Sequence, residues 1–292
     1  MFERLKARIL FHRMLKRPDI RKAYRIRGPK DPWLDTLTKV HNALAEIRQL
    51  PHEEVSITSH DKLTLRGLFY PGHSDITVIW VHGYTSHAER ESAFPGLFYH
   101  SLGYNVLIPY LRAHGPSEGR YLTFGALEHA DMREWVRWVN QRYPNGKIML
   151  HGLSMGGGIV LFLSNEEMEN VKCLIADAPS HSIDGFLYGV SESVYPKSAD
   201  AIYTHAKQWF LNTFGVDPSL FDCRKTVPHC RYPLLLSAGS KEQMEDLFAK
   251  LKQCNPMPTE TIILPGCDHG NGMYKQTELY QGTIREFLNR HL

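Results

Sequence analysis

The chain has 292 residues, of which 42% are hydrophobic, so it is long enough to bury one large core, or one core with a small inserted subdomain. Its formal net charge of +3 is unevenly spread, because residues 1–30 contain eleven Lys and Arg but only Glu3 and Asp19 as acids, or +9, and the remainder is therefore −6. An acidic body and a basic segment without interleaved stacking aromatics argue against nucleic-acid binding.

The first residues predict an amphipathic helix with charges inside it. Apolar residues at helical spacing are Phe2, Leu5, Ile9, Leu10 and Met14. Arg4, Lys6, Arg8 and Arg13 interrupt the apolar positions, so no run reaches the length of a signal-peptide core, and no later stretch approaches the roughly 20 apolar residues of a membrane span. We therefore expect a soluble, cytoplasmic protein, with membrane association as the alternative location.

A second amphipathic helix is predicted before Pro51, from the spacing of Trp33, Leu37, Val40, Leu44 and Ile47. Residues 1–52 thus form an N-terminal helical region. Its basic part, residues 1–30, allows peripheral contact with a membrane. We favour the simpler expectation that Phe2, Leu5 and Ile9 pack on the protein body, because amphipathic helices usually bury their apolar face.

From Glu54 the pattern changes to that of strands. Apolar residues at about every second position on both sides of residues 59–62 predict a hairpin. Short apolar runs without alternation follow, and they predict strands covered on both faces, at 76–83, 104–110, 147–154, 171–179, 232–239 and 259–266. Helical stretches separate most of them, including Phe124 to Gln141 and Met273 to His291. The alternation predicts an α/β fold with a mostly parallel, doubly wound sheet and helices on both faces.

One connection is too long for a simple crossover. About fifty residues rich in aromatics, approximately 180–231, separate two predicted strands, whereas such loops usually have about 2–6 residues. We predict a small helical cap inserted into a domain that spans residues 53–292.

The cysteine and histidine patterns predict no cofactor and no metal. Five cysteines without a C-x-x-C pair suit reduced thiols better than a disulfide framework. Sixteen histidines contain no H-E-x-x-H and no close His/Cys set.

The segment Gly152-Leu153-Ser154-Met155-Gly156 carries the strongest chemical signal. It stands between an apolar strand and a helix-compatible stretch, which is the context of a G-x-S-x-G nucleophile elbow. A serine at the tip of so tight a turn requires neighbours without side chains, and Gly152 and Gly156 meet that requirement. We predict Ser154 as a nucleophile.

A serine hydroxyl needs a base, and His269 lies after the last predicted strand, where the order Ser, acid, His places it. The acid is expected in the loop after residues 234–239. We choose Glu242, and place Glu245 and Asp246 on the solvated face of the next helix. Backbone N–H groups of Met155 and Tyr84 are the predicted oxyanion donors, with His82 as a structural brace of the second turn.

Several motifs in order resemble the α/β-hydrolase superfamily over residues 53–292, and within it a bacterial branch of serine hydrolases related to cinnamoyl esterases and acylaminopeptidases. The matching segments are HGYTSH at 82–87, LRAHGPSEG at 111–119, FGALEHADMREWVRWV at 124–139, HGLSMGGG at 151–158 and GCDHG at 266–270. Tyr110 stands where many relatives have Asp, and Glu242 stands at the position where relatives commonly have the triad Asp. Glutamate serves as the acid in some members of the superfamily.

The leading expectation is a carboxylesterase-like serine hydrolase that forms an acyl-enzyme on Ser154 and takes a small-molecule acyl substrate, with an ester, thioester or amide as the scissile bond. Two alternatives stay open: a lipase-like or lysophospholipase-like hydrolase acting at a membrane surface, and a non-catalytic binding protein with the same fold. The sequence does not specify the acyl group or the oligomeric state.

Overall fold

A central β-sheet organises the chain, of which the computed structural model describes residues 2–19, 28, 30, 31 and 33–292. Its strands are β1 (Glu53–Thr58), β2 (Thr64–Tyr70), β3 (Ile76–Val81), β4 (Asn105–Pro109), β5 (Lys147–Leu153), β6 (Val171–Asp177), β7 (Leu234–Gly239) and β8 (Thr259–Leu264). They lie in the order β1-β2-β4-β3-β5-β6-β7-β8. Strand β2 is antiparallel to β1 and β4, and the six strands β4, β3, β5, β6, β7 and β8 are parallel to one another. The predicted mostly parallel sheet is confirmed.

Helices cover both faces of this sheet: α1 (Phe2–Leu15), α2 (Leu37–Ile47), α3 (Ala88–Ser101), α4 (Glu128–Arg142), α5 (Met155–Phe162), α6 (Ile183–Val194), α7 (Ala199–Phe214), α8 (Cys223–Thr226), α9 (Glu245–Cys254), α10 (Gly272–Lys275) and α11 (Thr277–His291). Because side chains alternate along a strand, Ile79 and Val81 of β3 enter one apolar core while Val78 and Trp80 enter the other. This two-sided burial explains why the strand sequences lack alternation.

The helix predicted from Phe124 begins four residues later, at Glu128. Phe124 has a φ of 55° and Gly125 a φ of 110°, which a right-handed helix does not accept. The Glu128 carboxylate accepts hydrogen bonds from the N–H groups of Thr123 (2.7 Å) and Gly125 (2.8 Å). A buried carboxylate therefore fixes a turn where the apolar spacing suggested helix.

Helix α1 packs mainly on α7, a helix of the predicted cap. The sequence had led us to expect that a different face of α1 packs on the body. The buried residues of α1 are Ala7, Phe11 and Leu15. The expectation that Phe2, Leu5 and Ile9 pack on the body was wrong, because these side chains are 72%, 55% and 52% exposed. Burial of the opposite face, with Phe11 at its centre, determines the orientation of the helix.

Of the basic segment 1–30, positions 1, 20–27 and 29 lie outside the described residues. None of the helices in the described ranges combines the length and the apolar content that crossing a membrane requires.

The region predicted as a cap, residues 180–231, contains α6, α7 and α8 between β6 and β7. Helices α6 and α7 pack on each other, and α8 contacts α5. The predicted cap thus contacts the helix that follows β5.

Candidate active site

Ser154 occupies the turn between β5 and α5. It has φ 58° and ψ −115°, a backbone conformation that non-glycine residues rarely adopt. The carbonyl of Asp177 accepts a hydrogen bond from the Ser154 N–H (2.8 Å), and the N–H of Ser180 donates to the Ser154 carbonyl (2.9 Å). Contacts with the end of β6 therefore hold the strained residue in place.

The two glycines of the motif are sterically required. A Cβ atom on Gly152 would lie 2.2 Å from the carbonyl oxygen of Gly156, and one on Gly156 would lie 2.0 Å from the carbonyl oxygen of Val81. Both clashes involve backbone atoms, which have no rotamer to escape into. Any residue larger than glycine would therefore collide with the backbone at both positions, as the sequence led us to expect.

The structure brings the three predicted triad residues together. The Ser154 Oγ lies 2.8 Å from Nε2 of His269, and Nδ1 of His269 lies 2.5 Å from an Oε atom of Glu242. The other Glu242 oxygen accepts a hydrogen bond from the Gly239 N–H at 2.8 Å. These residues come from the loops after β5, β7 and β8, and parallel strands bring their carboxyl ends to one edge of the sheet.

The charges around His269 favour its protonated form. The hydrogen bond to the Glu242 carboxylate raises the pKa of His269 against the opposing effect of burial, and the negative charges of Asp177 and Glu91 act in the same direction. The His269 side chain is nevertheless 59% exposed, so solvent reaches it. An imidazole held in this way accepts the serine proton readily.

The turn that contains the second predicted oxyanion donor lies beside Ser154. A Cβ atom on Gly83 would lie 3.4 Å from the Cβ of Ser154. The Gly83 N–H donates to the buried Glu91 carboxylate (2.8 Å), which fixes the turn. Among the described residues, the N–H groups of Tyr84 and Met155, the two predicted oxyanion donors, make no backbone hydrogen bond outside the regular helices and strands.

His82, in the same turn, makes only buried contacts with its neighbours. It is fully buried, and its Nε2 accepts a hydrogen bond from the Leu111 N–H at 3.1 Å. Burial, together with the neighbouring His114, lowers its pKa, so it stays neutral. These contacts join the turn to the loop after β4, as a structural histidine would.

An aromatic cluster joins the cap to the turn beside Ser154. Phe186 of α6 stacks on Phe124 at 3.7 Å between ring centroids, and the Tyr84 ring lies 4.8 Å from that of Phe124. The Tyr84 hydroxyl donates to the Met14 carbonyl of α1 at 2.8 Å. Apolar rings thus stand next to the residue whose N–H is a predicted oxyanion donor.

A buried polar group next to the elbow was missed by the sequence reasoning. Asp177, at the end of β6, accepts hydrogen bonds from the hydroxyls of Ser237 (2.8 Å) and Tyr280 (2.9 Å). Burial raises the pKa of Asp177 to about 6, although both hydrogen bonds oppose the shift. A charged residue at the end of the apolar run 171–177, directly beside the elbow strand, was the available signal.

This network continues to a histidine of β5. His151 is fully buried, with Nδ1 2.6 Å from the Tyr99 hydroxyl and Nε2 3.2 Å from the Tyr280 hydroxyl. Burial lowers the pKa of His151 to about 3, so it is neutral. Its hydrogen bonds satisfy buried polar groups three residues before the nucleophile, which is a structural role.

One group of potential metal ligands occurs in the described ranges, at His60, Asp61 and Asp131, whose ligand atoms lie within 4.8 Å of one another. Arg112 donates two hydrogen bonds to Asp131 (both 2.6 Å) and two to Asp61 (2.9 and 3.0 Å). A guanidinium already neutralises these carboxylates, so the cluster is an ion-pair network.

Comparisons with known proteins agree with this architecture. A family model described as the alpha/beta hydrolase fold matches residues 76–219. The Bacillus subtilis (strain 168) protein YqkD, itself described as uncharacterized, is 29% identical over 254 residues, or 85% of this chain and 83% of that protein.

Two solved structures illustrate the range of similarity. An esterase from Pyrococcus furiosus is 26% identical with a TM-score of 0.66, and the match covers 95% of this chain and 98% of that chain. Est1E from Butyrivibrio proteoclasticus, solved with ferulic acid bound, is 16% identical with a TM-score of 0.61 over 81% of this chain and 98% of that chain. The second likeness shows a shared fold and no more.

Proposed function

The chain belongs to the α/β-hydrolase superfamily, and on that premise we propose that it is a serine esterase that forms an acyl-enzyme on Ser154. The observation that carries the proposal is the continuous hydrogen-bonded series from Ser154 through His269 to Glu242. The similarity of this chain to the Pyrococcus furiosus esterase supports an ester as the scissile bond.

In the first half-reaction, the Ser154 Oγ attacks the ester carbonyl carbon while His269 Nε2 takes the hydroxyl proton. The N–H groups of Tyr84 and Met155 donate to the oxyanion of the tetrahedral intermediate. The imidazolium then gives its proton to the departing alkoxide, and the alcohol leaves an acyl group on Ser154.

In the second half-reaction, His269 takes a proton from water, and the resulting hydroxide adds to the acyl carbon. Collapse of that intermediate breaks the bond to Oγ, and His269 returns the proton to Ser154. Glu242 keeps Nδ1 of His269 protonated and stabilises the imidazolium in both halves.

The rings of Tyr84, Phe124 and Phe186 favour an apolar or aromatic acyl group of modest size. Rates of hydrolysis of nitrophenyl esters of increasing chain length, compared with those of hydroxycinnamate esters, rank the acyl groups that fit beside these three rings.

The decisive test is labelling by a fluorophosphonate probe together with hydrolysis of p-nitrophenyl esters. We expect Ser154→Ala to lose labelling and to reduce kcat by at least about 10⁴-fold, because neither a base nor an oxyanion hole replaces the nucleophile. Ser56→Ala, which changes an exposed serine of β1, is the matched control and keeps both activities. A folded wild-type protein that neither labels nor hydrolyses any ester would instead indicate a non-catalytic binding protein.

A further inference from the structure

Helix α1 exposes an apolar stripe to solvent. Phe2, Leu5 and Ile9 are 72%, 55% and 52% exposed. Their spacing of three and four residues places them on one side of the helix, opposite the buried Ala7, Phe11 and Leu15. We call these three exposed residues the α1 outer face.

Among the described residues, α1 carries more large exposed apolar side chains than any other helix. Single exposed residues, such as Leu34 (41%) and Leu279 (46%), are normal on protein surfaces. Three large side chains within eight residues of one helix form a patch, and burying such a patch is favourable.

The charges on the same helix identify what covers the patch. Arg4, Arg8 and Arg13 are exposed along α1, within a 30-residue segment of charge +9 on a chain whose remainder carries −6. Long basic side chains beside an apolar stripe keep their charges at headgroup level while the stripe enters the lipid. A second copy of this chain would bring two such basic segments together, which like charges oppose.

We propose that the α1 outer face docks on an anionic lipid surface. Docking brings the site close to that surface, because α1 packs on α7 of the cap and the Tyr84 hydroxyl donates to the Met14 carbonyl at 2.8 Å. Tyr84 is also the residue whose N–H is assigned to the oxyanion. The docking itself does not depend on the proposed esterase activity.

The test is co-sedimentation of the full chain with phosphatidylcholine vesicles, with and without phosphatidylglycerol. We expect binding to the anionic vesicles that weakens as salt is raised. The combined variant Phe2→Ser, Leu5→Ser, Ile9→Ser lowers the partition coefficient at least about tenfold, because it removes the inserted apolar area. Leu279→Ser, an exposed leucine of α11, is the matched control and leaves binding unchanged.

A second variant separates charge from apolar insertion. Arg4→Gln, Arg8→Gln, Arg13→Gln should lose about fivefold in affinity for anionic vesicles per arginine, with little change on neutral vesicles. Hydrolysis of a soluble nitrophenyl ester stays at the wild-type rate in both variants, because neither alters the triad. Loss of the proposed esterase activity would therefore be visible separately from loss of docking.

Two outcomes overturn the proposal. One is a wild-type chain that does not sediment with anionic vesicles, or whose serine variant sediments equally well. The other is a wild-type chain that does not bind vesicles and is a dimer by light scattering, while the serine variant is a monomer. That result would assign the α1 outer face to contact with a second copy of the chain.

Discussion

At the scale of single residues, the position of Glu242 decides which acid reaches His269. Residues 240–242 form a short 3₁₀ turn after β7, and the Gly239 N–H fixes one carboxylate oxygen, so the other points at Nδ1 of His269. Glu245 and Asp246 lie exposed in the first turn of α9, as the sequence predicts. The longer side chain of glutamate thus fits a site where relatives commonly have aspartate.

The hydrogen bond to Glu242 also predicts the pH dependence of hydrolysis. Only neutral His269 accepts the Ser154 proton, and Glu242 raises the pKa of His269, so activity falls as the pH drops through a midpoint above that of an ordinary histidine. Glu242→Gln removes the charge, and we expect the midpoint to move to lower pH and kcat to fall about 10³- to 10⁴-fold. Profiles of kcat/KM against pH measure both effects.

Glu245→Gln is the control for that experiment, because it removes a nearby carboxylate that does not touch the imidazole. Unchanged pH midpoints in both variants would show that Glu242 does not act on His269.

At the scale of elements, Arg112 ties three parts of the chain together. The Arg112 side chain is 2% exposed and pairs with Asp131 of α4, which is 0% exposed, and with Asp61 of the β1–β2 turn, which is 38% exposed. Burial opposes the charge, but the hydrogen bonds that Arg112 donates to both carboxylates raise its pKa. The motif LRAHGPSEG therefore has a structural explanation in this chain, through the packing of α4 against the loop after β4.

Asp131→Ala is expected to destabilise the fold by about 3–5 kcal/mol, because it leaves the buried guanidinium with half of its partners. Asp61→Ala should cost no more than about 1 kcal/mol, since water reaches that side of the pair. Urea unfolding followed by circular dichroism measures the two values. Equal losses would contradict the assignment of Asp131 as the principal partner.

At the scale of the whole molecule, α1 connects the cap with the body. Phe11 and Leu15 of α1 are fully buried, and α1 contacts α7 of the cap. Tyr121 of the body, whose hydroxyl lies 2.8 Å from His12 of α1, also contacts Trp209 and Phe214 of α7. The N-terminal helix is thus part of the packing that positions the cap.

Phe11→Ala should lower the free energy of unfolding by about 3 kcal/mol, because it opens a cavity in this packing. Phe2→Ala changes the same residue type on the exposed side of the same helix, and its effect should stay within about 0.5 kcal/mol. Chemical denaturation of both variants compares the two faces directly. A larger loss for Phe2→Ala would mean that the orientation of α1 is reversed.

The order of strands and helices was predictable because it rests on local patterns. Apolar runs without alternation identified the parallel strands, and the spacing of Gly152, Ser154 and Gly156 identified the elbow. The start of α4 was not predictable in this way, because the Glu128 carboxylate, buried in the folded chain, replaces the first turn of helix with a loop.

The sequence by itself determined the fold class, the elbow and the loops from which a base and an acid would come, since each depends on residues close together in the chain. Only the tertiary structure decided which carboxylate meets His269, how Asp177 is buried beside the elbow, and which face of α1 points outward. These depend on contacts between segments far apart in sequence. For α1, both faces are apolar, so periodicity alone could not distinguish the one that Phe11 buries from the one that Phe2 exposes.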